Sequence, residues 1–259
     1  MKKLNLFVLL MAISITFYSC DRNLEEDLTK TSAKDVRAAK RPIGTSAREI
    51  LTDTEFTSIE LEIQYVVGFE PHGELINDIK LFLEELIHKP GGVEIYTSAI
   101  APINQESYTL REIRDIEDAN RNTYNVGKKL GMYILFLDGY SSDDTNANFT
   151  FALVHRNTSV AMFAKRMRER SGGLNEPSRA LLEKTVTRHE LGHLMGLVNV
   201  GSGMVHNHED ERNPGHCDNT ECLMYWAVES RGVLNMLDGK KMPVLDENCR
   251  KDLKANGGK

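Results

Sequence analysis

Two histidines and one glutamate carry the chemistry this sequence offers most plainly. They stand in the run Thr187-Arg188-His189-Glu190-Leu191-Gly192-His193-Leu194-Met195-Gly196-Leu197. Residues four apart on a helix lie one above the other on the same face, so His189 and His193 can aim two imidazoles at a single ion. Zinc takes neutral imidazole nitrogens readily, and a catalytic site uses three protein ligands, leaving the fourth position to a water whose pKa falls to about 7. Glu190, next to the first of the pair, is placed to take that water's proton. The run therefore supplies two ligands and a base, and a third ligand has to come from elsewhere.

A second block downstream reads His216-Cys217-Asp218-Asn219-Thr220-Glu221-Cys222-Leu223-Met224. Together the two blocks resemble the signature of the archaemetzincins, a branch of the metzincin metallopeptidases: His-Glu-x-x-His-x-x-Gly-x-x-His-Cys, four residues, then Cys-x-Met. His189, Glu190, His193 and Gly196 match its first part, and His216, Cys217, Cys222 and Met224 its second. Between them this chain departs from the pattern. Position 199, where the third His belongs, holds Asn199, and the matching His comes 17 residues later, at 216. Val198 to Gly215 is read as a loop that leaves the active-site helix and returns to deliver His216, and Gly201, Gly203, Pro214 and Gly215 suit such a detour. His206, His208 and Asp210 inside the loop, and Asn199 at the unshifted position, stand as alternative third ligands. Of these the amide is the weakest, because it carries no charge.

The resemblance implies one catalytic Zn2+ held by His189, His193 and His216, Glu190 as general base, and Met224 as the methionine of a tight turn beneath the metal. It implies a peptide or protein substrate. It also implies a second, structural zinc, held by the Cys pair after the third His and a later Cys-x-x-Cys. Only Cys249 is found there, so a second structural zinc is not expected; Cys217, Cys222 and Cys249 read as one disulfide and one buried thiol, or as three thiolates in want of a fourth donor.

The elements that must position these residues follow from periodicity. Ile59, Leu61, Ile63, Tyr65, Val67 and Phe69 alternate with polar residues, the mark of a half-buried strand. Leu75, Ile76, Ile79, Phe82, Leu83, Leu86 and Ile87 form a helical stripe stopped by Pro90-Gly91-Gly92. Val93 to Ala99 reads as a strand, Leu110 to Lys129 as a more polar helix, and Met132 to Asp138 as a central strand covered on both faces. Phe149 to Arg156 and Ser159 to Lys165 read as two more strands, the first an edge whose backbone can pair with an added peptide. Pro177 suits the first turn of the helix that carries His189 and His193. Leu245, Cys249 and Leu253 mark a closing helix. The expected fold class is α/β, an α+β zincin: a mixed, mostly parallel five-stranded sheet with an antiparallel edge strand, an active-site helix, a Met-turn and a C-terminal helix.

Ahead of this domain, residues 1–20 read as a bacterial lipoprotein signal: Lys2 and Lys3, an apolar run from Leu4 to Phe17 too short for a comfortable membrane span, then Tyr18-Ser19-Cys20. Cys20 is the expected lipidation site, and residues 21–48, charged and without apolar period, the expected flexible tether to a domain over 49–259. The protein is thus expected in the bacterial cell envelope, lipid-anchored to membrane, periplasmic or surface-exposed, and monomeric. A net charge of −6 without a basic stripe argues against nucleic acid as a partner. The rival to a hydrolase is a cell-surface binding protein that keeps the zincin fold without activity.

Overall fold

The computed structural model describes residues 36–237 and 241–259. The signal segment, Cys20 and residues 21–35 of the expected tether lie outside the described residues. Among the described residues, a short helix α1 (Ala47–Leu51) is followed by strand β1 (Ser58–Val66), helix α2 (Leu75–Leu86) and strand β2 (Val93–Ile100). Strand β3 (Ser107–Tyr108), helix α3 (Leu110–Asn120), strands β4 (Lys129–Phe136), β5 (Tyr140–Ser141), β6 (Ala152–Arg156) and β7 (Ser159–Met162), and helix α4 (Ala164–Glu169) follow. The long helix α5 (Arg179–Leu194), a 3-10 turn (Trp226–Glu229), α6 (Val233–Met236) and α7 (Glu247–Ala255) complete it.

Five strands form one sheet in the order β2-β1-β4-β7-β6. The first four run parallel, and β6 pairs antiparallel with β7 as the edge. This is the sheet expected from the sequence, with its antiparallel edge strand on the side of α5. The β6–β7 hairpin turns at Asn157-Thr158 and carries a register shift between Val154 and Arg156. β4 is buried along nearly its whole length, as a parallel strand between two neighbours must be. A separate pair joins β3 and β5.

Several expectations are corrected. β1 is not half-buried: Glu62 and Gln64, placed on a solvent face by alternation, are buried. Their polar atoms are satisfied, since Glu62 accepts from the backbone N–H groups of Asn122 and Thr123 at 2.8 Å each and Gln64 donates to the carbonyl of Asn120 at 2.8 Å. The residues after α3 are what cover that face. They do so because α3 stops at Asn120 rather than running to Lys129: Arg121 leaves the helix and turns inward, its guanidinium 2.7 Å from Glu117 and 3.0 Å from the carbonyl of Gly131. Further bonds of the buried guanidinium to the carbonyl of Thr123 at 2.6 Å and to Ser159 Oγ at 3.1 Å hold the residues beyond Asn120 in this non-helical path. The strand expected to reach Lys165 ends at Met162, and the chain turns into α4.

Part of the stretch expected as tether is also corrected. Residues 36–48 are packed on the domain: Ala39 and Ser46 are buried, and the Asn157 side chain donates to the carbonyl of Ala38 at 2.9 Å and to Ser46 Oγ at 2.7 Å. No helix among the described residues is long and apolar enough to cross a membrane.

Candidate metal centre

Helix α5 is capped by Ser178, whose side chain accepts from the N–H of Leu181 at 3.2 Å, with Pro177 just outside the helix rather than in its first turn. Its buried face carries Leu182, Val186, His189, Glu190 and His193. Gly192, on the turn between the two histidines, lies against the methionine turn: a Cβ there would stand 2.3 Å from Met224 Sδ. The helix ends at Met195, and Gly196 takes a φ of +79° while packing so closely that a Cβ would meet the amide nitrogen of Ser202 at 2.6 Å. That position needs glycine for its backbone angle and for its space.

The chain from Val198 to Gly215 leaves and comes back. Its return is a tight hairpin: Asp210 N–H donates to the carbonyl of His216 at 2.8 Å, Glu209 bridges Cys217, and Asp218 N–H donates to the carbonyl of His208 at 2.9 Å. The hairpin brings His216 to the two helical histidines, with ring centroids 5.3 Å from His189 and 4.9 Å from His193. None of the alternatives shares that place. His208 is buried on the far side, its Nε2 2.7 Å from Asp252 Oδ2 and its Nδ1 3.4 Å from Cys217 Sγ. Asp210 accepts from the N–H of Arg212 at 3.0 Å and from Asn213 at 2.8 Å, Asn199 donates to Glu209 at 3.3 Å, and His206 is exposed.

Donor atoms of His189, His193, His216 and Glu229 all lie within 4.8 Å of one another. Glu229 was not singled out from the sequence. It falls five residues beyond Met224 at the end of the 3-10 turn, a distance that no helical or strand period links to the motif. His189 Nδ1 donates to the carbonyl of Leu223 at 2.7 Å, which fixes the tautomer and leaves Nε2 with its lone pair toward the cluster. Burial pushes the His189 imidazole down to about 4, and burial with the neighbouring imidazoles holds His193 well below its ordinary range. Both rings are therefore in the neutral form that binds metal.

Glu190 is fully buried with neither carboxylate oxygen hydrogen-bonded, and both ring nitrogens of His216 are likewise without partners. Burial, reinforced by the charge of Glu229, raises the Glu190 carboxyl well above the usual carboxylate range. Three converging imidazoles, with His193 Nε2 3.0 Å from His189 Nε2, beside an unsatisfied buried acid fit a divalent cation and the water it would bring.

A second donor cluster lies behind the methionine turn. Cys217, Cys222, Asp246 and Cys249 have donor atoms within 4.8 Å of one another, and all three thiols are free. Cys222 is pushed down to about 4 by hydrogen bonds from Cys217 and Cys249. Asp246 also caps α7, accepting from the N–H of Cys249 at 2.9 Å. Its place three residues before Cys249 was legible as the first position of a Cys-x-x-Cys pattern in which an acid replaces the thiol.

No protein-family profile matches this chain, and no curated protein does. Solved structures do match. A zinc-dependent peptidase from Methanocorpusculum labreanum (strain Z) is 18% identical, with a TM-score of 0.50 over 74% of this chain and 99% of that one. The archaemetzincin from Methanopyrus kandleri is 17% identical, with a TM-score of 0.46 over 78% of this chain and 96% of that one. Metalloproteinase-II from Bacteroides fragilis is 11% identical, with a TM-score of 0.35 over 92% of this chain and 71% of that one. At such identities the likeness speaks to fold alone. The sheet order and the match to the M. labreanum structure agree on it: the chain shares the fold of that zinc-dependent peptidase, with the mixed sheet, antiparallel edge strand and histidine-bearing helix expected from the archaemetzincin resemblance.

Proposed function

We propose that the protein is a zinc metallopeptidase, held at the bacterial cell envelope by a lipid on Cys20. The observation that carries the reading is the convergence of His189, His193 and His216 beside the buried, unpartnered carboxyl of Glu190. The peptidase name of the M. labreanum structure supports it.

Zinc held by the three imidazoles would acidify water and polarise a scissile carbonyl. The protein's own groups do the rest. The carbonyl of Leu223 holds His189 in the tautomer that presents Nε2, and Met224 packs beneath Gly192 to hold the helix against the turn. Glu190, its carboxyl beside the backbone of Val154 on β6, would be returned to the carboxylate by a cation's charge beside it, and could then take a proton from water at one oxygen and return it to the departing amine. The free side of β6 offers main-chain groups to which an extended peptide can add as a strand. Cys217, Cys222, Asp246 and Cys249 form a donor set suited to a second, structural ion, with Asp246 as the fourth donor that sequence alone had left missing.

Glu190→Gln is the direct test. The variant should bind zinc as the wild type does and lose peptide hydrolysis by a factor of about 10² or more. Cleavage at the wild-type rate would remove Glu190 from the mechanism, and a wild type that binds zinc yet cleaves no unfolded protein would favour the inactive binding protein. For the anchor, Cys20→Ser should move the protein from the membrane fraction to the soluble fraction; an unchanged distribution would refute lipidation at Cys20.

A further inference from the structure

Glu229 takes no part in the mechanism above, yet its carboxylate stands where a fourth ligand belongs. Oε1 is 3.6 Å from His216 Nε2, and Oε2 is 3.8 Å from His189 Nε2. Tetrahedral zinc with bonds of about 2.0–2.1 Å sets its ligand atoms about 3.3 Å apart, so these separations fall a few tenths of an ångström outside a shared coordination sphere. For His189 neither an ion pair nor a hydrogen bond accounts for the approach. His189 gives its Nδ1 proton to Leu223, so its Nε2 lone pair and the carboxylate are two acceptors facing each other. The contact to His216 lies at ion-pair distance but is longer than a hydrogen bond, and both nitrogens of that ring lack hydrogen-bond partners.

The backbone of Glu229 is fixed as well. Its carbonyl accepts from the N–H of Phe151 at 2.8 Å, Ser230 bridges Thr150 in antiparallel fashion, and Arg231 N–H donates to the carbonyl of Phe149 at 3.2 Å. The segment after the methionine turn is thus stitched to the residues that lead into edge strand β6, at one end of the edge a peptide would use. The Glu229 side chain is 32% exposed and that of His216 12%, while His189 has no exposure.

We propose that Glu229 is a fourth protein ligand of the active-site metal in the resting protein, so that the site is closed until an incoming carbonyl or water displaces this carboxylate. The proposal rests on the metal-binding reading of His189, His193 and His216 and deepens it. Three imidazoles and a carboxylate satisfy the ion at rest, and substrate competes with Glu229 for one position.

The test uses the full chain, stripped of metal and reloaded with Co2+, with His189→Ala protein as the blank for cobalt at the cysteine cluster. Glu229→Gln should alter the position and intensity of the visible cobalt bands. It should also bind acetohydroxamate at least about tenfold more tightly, the gain expected if the closed form holds nine-tenths or more of the wild-type molecules. Glu229→Asp, which keeps the charge but draws the carboxylate back by one methylene, should shift in the same direction and serves should the first variant fold poorly. Identical spectra and hydroxamate affinities in wild type and both variants would overturn the proposal while leaving the three-histidine site standing. A wild-type spectrum no different from that of His189→Ala would overturn the metal reading and the proposal together.

Discussion

His208 and His216, the two buried or half-buried histidines that could complete the proposed site, differ in their surroundings. His208 looks inward: its ring joins the Asp252 carboxylate to Cys217, both buried. His216 faces His189 and His193 with both nitrogens free. His216→Ala should therefore release the metal bound at the histidines, whereas His208→Ala should keep it. The second variant leaves the Asp252 carboxylate buried without its imidazole, a loss of about 2–4 kcal/mol in stability. Metal content by atomic absorption with urea midpoints separates the two effects; metal lost from His208→Ala and retained in His216→Ala would exchange their roles. Sequence carried the identity of His216 only through the family pattern, since Asp210 and His206 offered comparable chemistry at comparable spacing. Burial and hydrogen-bond partners, which the order of residues does not encode, separate them. Glu229 was invisible for the same reason, because its approach to the cluster depends on how a 3-10 turn and a β-bridge aim one carboxylate.

The elements that could be read were those whose apolar period is strong and whose ends are marked. α2 has both, in a stripe that ends before Pro90-Gly91-Gly92, and the hairpin of β6 and β7 has its Asn157-Thr158 turn. β1 and α3 misled because polar residues are buried there in compensated pairs, a case in which side-chain polarity no longer reports exposure. Edge strand β6 buries a polar residue without such compensation. His155 is buried with both ring nitrogens unpartnered, and burial, with the positive charges of Arg156, Arg114 and Arg121, pushes it down to about 3. The unfolded chain binds this proton near pH 6.5 and the folded one does not until about pH 3, so between those values the unfolded state holds the extra proton. Stability contributed by neutral His155 is thus complete above pH 6.5 and is lost as the pH falls through that window, with a limiting slope of about 1.4 kcal/mol per pH unit. Urea unfolding of the metal-free protein at pH 6.5 and pH 5 should show His155→Gln losing about 1.5 kcal/mol less than the wild type over that interval. Equal losses would mean that the wild-type ring takes up a proton while still folded.

At the scale of the whole molecule the largest surprise is where the domain starts. Composition placed everything before residue 49 in a tether, because residues 36–48 have no apolar period and many charges. Yet this segment ties two parts of the site's scaffold together. Asn157, at the turn of the β6–β7 hairpin, donates its backbone N–H to the carbonyl of Arg41 at 3.1 Å and its side chain to Ala38 and Ser46. Gly44, with a φ of +80°, lies so close to the loop leaving the active-site helix that a Cβ would stand 1.5 Å from the carbonyl oxygen of Val200. Contacts made by backbone, glycine and amide leave almost no mark in hydropathy, which is why the segment read as linker. A chain starting at residue 49 loses these bonds and leaves Asn157 and the Val200–Gly201 loop without their cover, whereas one starting at residue 36 keeps them. The shorter chain should be less stable by several kcal/mol, on the order of a third or more of a typical domain's total. Because Gly196 and Val200 begin the loop that returns with His216, it should also hold metal more weakly. Gly44→Ala in the full chain isolates the contact and should destabilise in the same direction, through strain at a left-handed angle and a clash with backbone that has no side chain to move aside. Thermal unfolding of the three proteins measures this directly: equal midpoints for the chains starting at 36 and 49 would return residues 36–48 to the tether.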